Sequence, residues 1–211
     1  MTSSLVHEGA NGRLRLPDVT LAIASSLAIR PSLRAIRQSS QMIEFGAVKF
    51  FTDASGEGPD WHGIERVKIA PMRSREDYSR FVLNELIDHL ETNFIIIIQW
   101  DGYVLNPISW QESWLEYDYI GAPWPQFDDG MTVGNGGFSL RSRRLLNACR
   151  DPRIRRDLAE DIAICRNARN LLEREYGNRF ATEEVGPAFS YERTSPTGLE
   201  FGFHGVKAEF Q

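Results

Sequence analysis

Apolar and polar residues alternate along the first half of the chain in blocks of differing period. Residues 19–26, 46–53 and 64–71 form short apolar runs, which are typical of buried strands. Residues 30–45, between the first two runs, carry apolar side chains at near-helical spacing and predict a helix. The alternation of strand and helix predicts an α/β fold.

The clearest helical pattern covers residues 74–93. Ser74 is followed three residues later by Asp77, which is a capping box, and the apolar side chains beyond it share one face. Residues 94–98, a phenylalanine and four isoleucines, come directly after this helix. A strand that is apolar throughout is typical of a mostly parallel sheet covered by helices on both faces.

Composition and charge restrict the class of protein. The chain has 211 residues, of which 42% are hydrophobic and 25% charged, a globular composition with enough length for one sizeable core. We expect a single domain over residues 17–211, preceded by a polar, flexible segment at residues 1–16. The net charge of −5 argues against a general nucleic-acid-binding protein, which normally presents a basic face.

Cysteine content and hydropathy bear on the compartment. Cys149 and Cys165 lack a metal-ligand spacing and are too few for a disulfide scaffold, so we expect two reduced thiols. No apolar run matches a signal peptide or approaches the roughly 18 residues of a membrane span. The sequence therefore predicts a soluble, cytoplasmic protein without a transmembrane segment.

Candidate chemistry begins at Asp101, at the predicted carboxyl end of the isoleucine strand. Ligands of open α/β sheets bind at that end of the strands. A carboxylate there can coordinate a divalent cation, which in turn can bridge the phosphates of a nucleotide. The alternative is that Asp101 ends the strand or begins a turn with Gly102.

A glycine-rich turn lies within residues 133–146. Gly136 and Gly137 have no Cβ, which lets backbone approach a ligand closely. The pattern matches neither the dinucleotide fingerprint nor the P-loop. A short strand and then a basic helix are predicted to follow, the helix carrying Arg141, Arg143 and Arg144. The alternative is a tight turn before a solvated basic helix.

Two adjacent acids, Glu160 and Asp161, lie in a helix-prone stretch over residues 154–176 that ends at Gly177, a plausible left-handed cap. Neighbours on a helix point about 100° apart, so one acid can face a cleft while the other faces solvent. The alternative is a solvated charged face without a catalytic role.

The order of five motifs carries a resemblance to a known family. The motifs are QWDGYVLNP, YDYIGAPW, VGNGGFSLRSRRLL, EDIAIC and FGFHGVK. Together they resemble an uncharacterised bacterial and eukaryotic family similar to compact nucleotide-sugar transferases of the GT-A fold. The resemblance covers about residues 19–207, and YDYIGAPW and GNGGFSLRS are its most specific parts.

The resemblance implies a single Rossmann-like GT-A domain with a nucleotide-sugar donor at the carboxyl edge of its sheet. Enzymes of this fold carry an Asp-x-Asp motif that holds Mn²⁺ or Mg²⁺ on the diphosphate. Asp101 matches the first acid, but Tyr103 stands where the second is expected. Asp161, with Glu160 as the fallback, matches the position of a base that deprotonates the acceptor hydroxyl.

Further donor contacts are expected from five residues. His204 would complete the metal site with Asp101, as a late histidine does in related enzymes, unless it packs on neighbouring phenylalanines instead. Lys207 would reach a phosphate oxygen. Gly136 and Gly137 would form the floor under the sugar, and Asp53, at the end of the second predicted strand, would belong to the donor site.

The acceptor is expected to be a glycan or other hydroxyl compound. Its sugar rings would stack on Trp110, Trp114 or Trp124, each of which has core packing as its alternative role. The function implied is sugar transfer in surface polysaccharide biosynthesis, with possible association with other glycan-assembly enzymes. Two other interpretations stay open, a non-catalytic glycan- or partner-binding module and a nucleotide-sugar hydrolase.

Overall fold

The computed structural model describes residues 12–54 and 61–205. In this part of the chain the strands are β1 (Leu14–Ala24), β2 (Ile43–Thr52), β3 (Glu65–Lys68), β4 (Phe94–Ile98), β5 (Gly102–Val104), β6 (Tyr119–Ile120), β7 (Phe138–Ser142), β8 (Ser190–Tyr191) and β9 (Gly202–His204). The helices are α1 (Ile29–Met42), α2 (Arg75–Arg80), α3 (Arg143–Ala148), α4 (Glu160–Ile162), α5 (Arg169–Tyr176) and α6 (Gly186–Phe189).

The main sheet has six strands in the order β3-β2-β1-β4-β7-β6. Strands β3, β2, β1 and β4 run parallel to one another, whereas β7 is antiparallel to both β4 and β6. The predicted α/β fold with a mostly parallel central sheet is therefore confirmed. The carboxyl ends of β1, β2 and β4 meet at one edge, where this architecture places ligands.

Apolar side chains cover both faces of the sheet, and β4 is therefore buried on both. Ile96 and Ile98 pack into a cluster with the buried face of α1. Ile95 and Ile97 pack on the other face, against the helical segment that begins with α2 and continues through residues 81–89. Burying each of these isoleucines contributes about 1.5–3 kcal/mol, which explains why the strand is apolar throughout.

Element ends differ from the predictions in ways that packing explains. β1 begins at Leu14, and residues 14–16 pair with residues 43–45 of β2, so the strand extends into the segment predicted to be flexible. Residues 1–11 of that segment lie outside the described residues. Ser74 caps α2 as predicted, because its Oγ accepts a hydrogen bond of 3.1 Å from the amide of Asp77.

The predicted helix over residues 154–176 begins later, at α4, and includes a π-helical turn over residues 163–167 before α5. Its predicted end is confirmed, because Gly177 adopts a left-handed φ of 65° directly after α5. In the described ranges, no helix combines the length and hydropathy that crossing a membrane would require.

A second, smaller sheet lies over the carboxyl edge of the main one. Its strand order is β5-β9-β8, with β9 antiparallel to β5 and parallel to β8. Side chains alternate between its two faces, so His204 and Phe203 point in opposite directions. This alternation places His204 toward the glycine turn and leaves Phe203 on the outer side.

Candidate functional site

A cavity of about 300 Å³ lies beyond the carboxyl end of β4, between the glycine turn, α4 and β9. Residues from seven separate parts of the chain line it. They include Arg75, Tyr78, Gln99, Gly136, Gly137, Glu160, Asp161, Glu192, Arg193 and His204. The structure therefore brings together several of the residues that the sequence singled out, although they lie far apart along the chain.

The glycine turn forms one wall of the cavity because it carries no side chains. A Cβ on Gly137 would lie 2.2 Å from Nε2 of His204, and one on Gly136 would lie 2.1 Å from Oε1 of Glu160. Asn135 adopts a positive φ of 40° and accepts the Gly137 amide on its Oδ1 at 2.9 Å. The groups that approach these glycines closely are thus the side chains of His204 and Glu160. Their contact with a sugar stays a prediction.

The two adjacent acids have different surroundings. Asp161 is partly exposed in the cavity, and its carboxylate accepts the amides of Gly136 at 3.1 Å and Ile162 at 2.8 Å. Glu160 is buried and pairs with Arg141 at 3.0 Å. The expectation that one of the two acids faces the cavity and the other faces solvent is therefore wrong for Glu160. Glu160 neutralises a buried cation, and Asp161 is the acid available to a ligand.

Arg141 lies under the glycine turn, fully buried in β7. Its Nε donates to Oγ of Ser139 at 3.1 Å, and its guanidinium lies 5.0 Å from the ring centroid of Tyr119. The prediction that Arg141 lies on the helix is wrong, because β7 continues through Ser142, and its burial also excludes the alternative of a solvated position. Burial raises the pKa of Glu160, and the neighbouring Arg141 opposes this effect. Burial also disfavours the charged form of Arg141, but the carboxylate of Glu160 helps to hold the pKa of Arg141 well above its usual value.

Asp101 and His204 lie side by side, as the resemblance implies. Nε2 of His204 is 3.3 Å from Oδ1 of Asp101 and 3.1 Å from Oε1 of Gln99, and Nδ1 is 3.3 Å from Oε1 of Glu192. Burial disfavours the imidazolium, but the two carboxylates outweigh burial and raise the pKa of His204 to about 9. The alternative that His204 packs on neighbouring phenylalanines is not what the structure shows, because strand alternation turns Phe203 away.

Two of these separations are compatible with shared coordination of a small divalent cation. Ligands at about 2.1 Å around an octahedral ion are separated by about 3 Å along each edge. The separations of Nε2 of His204 from Gln99 and Asp101 are close to that value. Glu192, on the other ring nitrogen, would hold the imidazole in place as carboxylates do around metal-bound histidines. Within the described ranges no three His, Cys, Asp or Glu side chains form a metal site, so the third donor would be the amide oxygen of Gln99.

Several predicted site residues lie elsewhere. Trp110 and Trp114 are buried in the core, where their rings pack on each other and on Phe201, so the prediction that they stack on a sugar is corrected. Trp124 is 3% exposed, with its ring against Gly134, although it reaches the cavity wall. Asp53 follows β2 and does not line the cavity.

Lys207 lies outside the described residues. Sequence reasoning missed several cavity residues, among them Arg75, Gln99, Glu192 and Arg193. Gln99 had a local signal, because Gln99 and Asp101 have the spacing of an Asp-x-Asp pair with an amide in the first place. Glu192 and Arg193 lie in a segment without motif or period, and only the pairing of β8 with β9 brings them to His204.

Comparisons with solved structures show the fold. A glycosyltransferase involved in glycosylation of the major capsid of PBCV-1 superposes with a TM-score of 0.52 at 11% identity, covering 90% of this chain and 94% of that one. The apo-form glycosyltransferase GlyE of Streptococcus pneumoniae TIGR4 gives a TM-score of 0.50 at 10% identity, covering 90% of this chain and 55% of that one. At these identities the similarity is one of fold.

Sequence comparison identifies the family without assigning an activity. No curated protein sequence matches the chain significantly. Residues 62–204, which include the cavity residues from Arg75 to His204, match a family described as a protein of unknown function, DUF5672. This match covers more than half of the chain, and the chain therefore belongs to the DUF5672 family.

Proposed function

We propose that this protein transfers a sugar from a nucleotide-activated donor to a hydroxyl group of an acceptor. One observation carries the proposal. Asp161, an ionisable acid anchored on the glycine turn, lines one cavity together with Gln99 and His204 at the carboxyl edge of the sheet, and Asp101 lies beside that cavity, 3.3 Å from Nε2 of His204. The fold similarity to solved glycosyltransferases supports the same function.

The donor nucleoside is assigned to a groove of about 280 Å³ at the carboxyl end of β1. This groove shares Arg75 and Tyr78 with the cavity, so a ligand can continue from one into the other. Its floor is fixed where Oγ of Ser26 accepts the amide of Met72 at 2.8 Å. The diphosphate would then lie near Arg75 and Asp101, in the crevice that α/β sheets use for nucleotides.

A divalent cation would be held by Gln99, Asp101 and His204. When bound, it would neutralise charge that develops on the departing nucleoside diphosphate. Arg75 and Arg193 lie on the cavity wall and supply positive charge to the same leaving group. Asp101 therefore has a defined role although Tyr103 replaces the second acid of the expected motif.

Asp161 would act on the acceptor. Its carboxylate is fixed by two backbone amides and remains open to the cavity, so it can accept the proton of an acceptor hydroxyl. Glu160 is excluded from that role because it is occupied by Arg141 in the protein interior. Gly136 and Gly137 would bring backbone to the edge of the reacting centre, with the side chains of His204 and Glu160 packed directly against them.

The test is incubation with nucleotide sugars of several bases and sugars, with Mn²⁺ and a mixture of oligosaccharide acceptors, monitored for released nucleoside diphosphate. We expect donor cleavage that depends on Mn²⁺, on Asp101 and on Asp161. Transfer to an acceptor identifies a transferase, and cleavage to free sugar alone identifies a hydrolase. Nucleotide binding without turnover would identify a non-catalytic module and refute the proposal. The compartment and any association with other glycan-assembly enzymes remain predictions.

A further inference from the structure

A second cavity, of about 470 Å³, lies between α1 and the outer face of the small β5-β9-β8 sheet. We call it the aromatic cleft. It is lined by Pro31, Arg34, Ala35, Gln38, Trp100, Asp101, Tyr103, Leu105, Tyr191, Phe203 and Gly205. Asp101 borders the aromatic cleft on one side. On the other side it pairs with His204, which lines the cavity beside the glycine turn, here called the catalytic cavity. A ligand in the cleft would therefore end at the proposed reacting centre.

One wall of the aromatic cleft is a row of three aromatic rings. Tyr103 on β5 and Tyr191 on β8 are both register partners of Phe203 on β9. The Tyr103 and Phe203 centroids are 4.6 Å apart at 85°, and the Tyr191 and Phe203 rings stack with centroids 5.8 Å apart. Strand pairing holds the row in place, and because the Tyr103 ring is nearly perpendicular to that of Phe203, the platform presents both ring faces and ring edges.

Polar groups of both signs face this platform. Arg34 and Gln38 are exposed and lie one turn apart on α1, and neither has a hydrogen-bond or ion-pair partner within residues 12–54 and 61–205. The carboxylate of Asp101 lies at the inner end. Trp100 is 49% exposed, an unusual position for a tryptophan, whose large apolar surface is normally covered.

We propose that the aromatic cleft binds the sugar chain of the acceptor, an inference that rests on the proposed function and names its acceptor class. Sugar rings have apolar C–H faces that stack on aromatic rings and hydroxyls that both donate and accept hydrogen bonds. A platform of Tyr103, Phe203 and Tyr191 opposite free amide and guanidinium groups suits both features. These residues take the role that the sequence assigned to Trp110 and Trp114.

A nucleotide fits the aromatic cleft less well. Nucleoside phosphates require clustered cations or amides, but the cleft offers Arg34 against the carboxylate of Asp101. The nucleoside already has a groove at the carboxyl end of β1, on the far side of Arg75 and Tyr78. The aromatic cleft is thus available for an acceptor, whose terminal hydroxyl would pass Asp101 into the catalytic cavity.

The experiment measures binding without turnover. The full-length protein is titrated with α-1,4-glucan, β-1,4-glucan, β-1,4-N-acetylglucosamine and α-1,6-mannan tetrasaccharides, and tryptophan fluorescence and heat are recorded. At least one probe is expected to bind. Trp100→Ala and Gln38→Ala should each weaken that binding by about fivefold to tenfold, the usual effect of one stacking or hydrogen-bonding contact. Ile108→Ala, which changes a 97% exposed side chain outside the aromatic cleft, should leave it unchanged.

Two further measurements separate this proposal from the proposed function. Donor cleavage by the wild type is measured beside its tetrasaccharide binding, and nucleoside diphosphate with Mn²⁺ should bind equally to Trp100→Ala and wild type. Donor cleavage without binding of any tetrasaccharide would refute the cleft assignment and leave the transferase intact. Weaker nucleoside binding in Trp100→Ala would assign the aromatic cleft to the donor and overturn the proposal. Tetrasaccharide binding without any donor binding would support the cleft and refute the transferase.

Discussion

The adjacent acids Glu160 and Asp161 have different roles, and replacing each in turn is the sharpest test of the site. The side chains of Glu160 and Arg141 are 5% and 0% exposed and lie 3.0 Å apart. Glu160→Gln keeps the shape but leaves a buried guanidinium without a counter-charge, which costs about 3–5 kcal/mol. For a chain of this length that corresponds to a fall in melting temperature of roughly 6–20 °C. Glu160 is therefore expected to control stability.

Asp161→Asn should show the reverse pattern. Its side chain is partly exposed, and Asn keeps one of the two oxygens that accept backbone amides, so the free energy of unfolding should fall by only about 1–2 kcal/mol. The transfer rate should fall roughly 100-fold, because the proton acceptor is lost. Nucleoside diphosphate affinity should stay unchanged, because Asp161 is not a proposed cation ligand.

Stability is measured by urea denaturation, with circular dichroism as the signal. Activity is measured as donor turnover at a temperature where both variants are folded. Replacing both partners, Arg141→Met with Glu160→Leu, is the matched control, because exchanging a buried ion pair for apolar side chains is often neutral or stabilising. Its unfolding free energy should recover most of the loss seen in Glu160→Gln. A stable Glu160→Gln with the activity loss expected of Asp161→Asn would refute the reasoning.

Three further predictions follow from contacts in and near the cavity. Gly137→Ala should fold but lose Mn²⁺-dependent nucleotide binding, because the new Cβ would lie 2.2 Å from Nε2 of His204. In metal-free buffer, His204 stabilises the fold by at most about 3 kcal/mol below pH 6.5 and loses this contribution as pH rises through 9, since its pKa is raised to about 9. His204→Gln should flatten that pH dependence in denaturation measurements. Cys149 is buried with its pKa raised to about 12, so a disulfide reagent should modify it only after unfolding.

Each of these outcomes has a clear opposite. Full nucleotide binding in Gly137→Ala would show that His204 does not need its place on the glycine turn. A denaturation profile of the wild type that is flat between pH 6.5 and 9 would show that the carboxylates do not hold a proton on His204. Rapid modification of Cys149 in the native protein would show that α3 opens readily.

The sequence by itself determined the fold class. The apolar run at residues 94–98 can be buried on both faces only in a sheet covered on both sides, and the periodicity of α1 matches its buried face. These patterns are local consequences of burial, so they can be read along the chain. The cap at Ser74 and the left-handed Gly177 are likewise local, since their partners lie within a few residues.

Only the tertiary structure decided which residues form the site. Glu160 and Asp161 have the same local sequence environment, and the buried Arg141 alone determines that one is structural and the other open to the cavity. Glu192 reaches His204 only because β8 pairs with β9. Trp110 and Trp114 resemble sugar-binding residues in sequence, but they pack in the core against Phe201, whereas Tyr103 and Phe203 line an open cleft. Contacts between residues distant along the chain depend on strand order and side-chain burial, which no local pattern encodes.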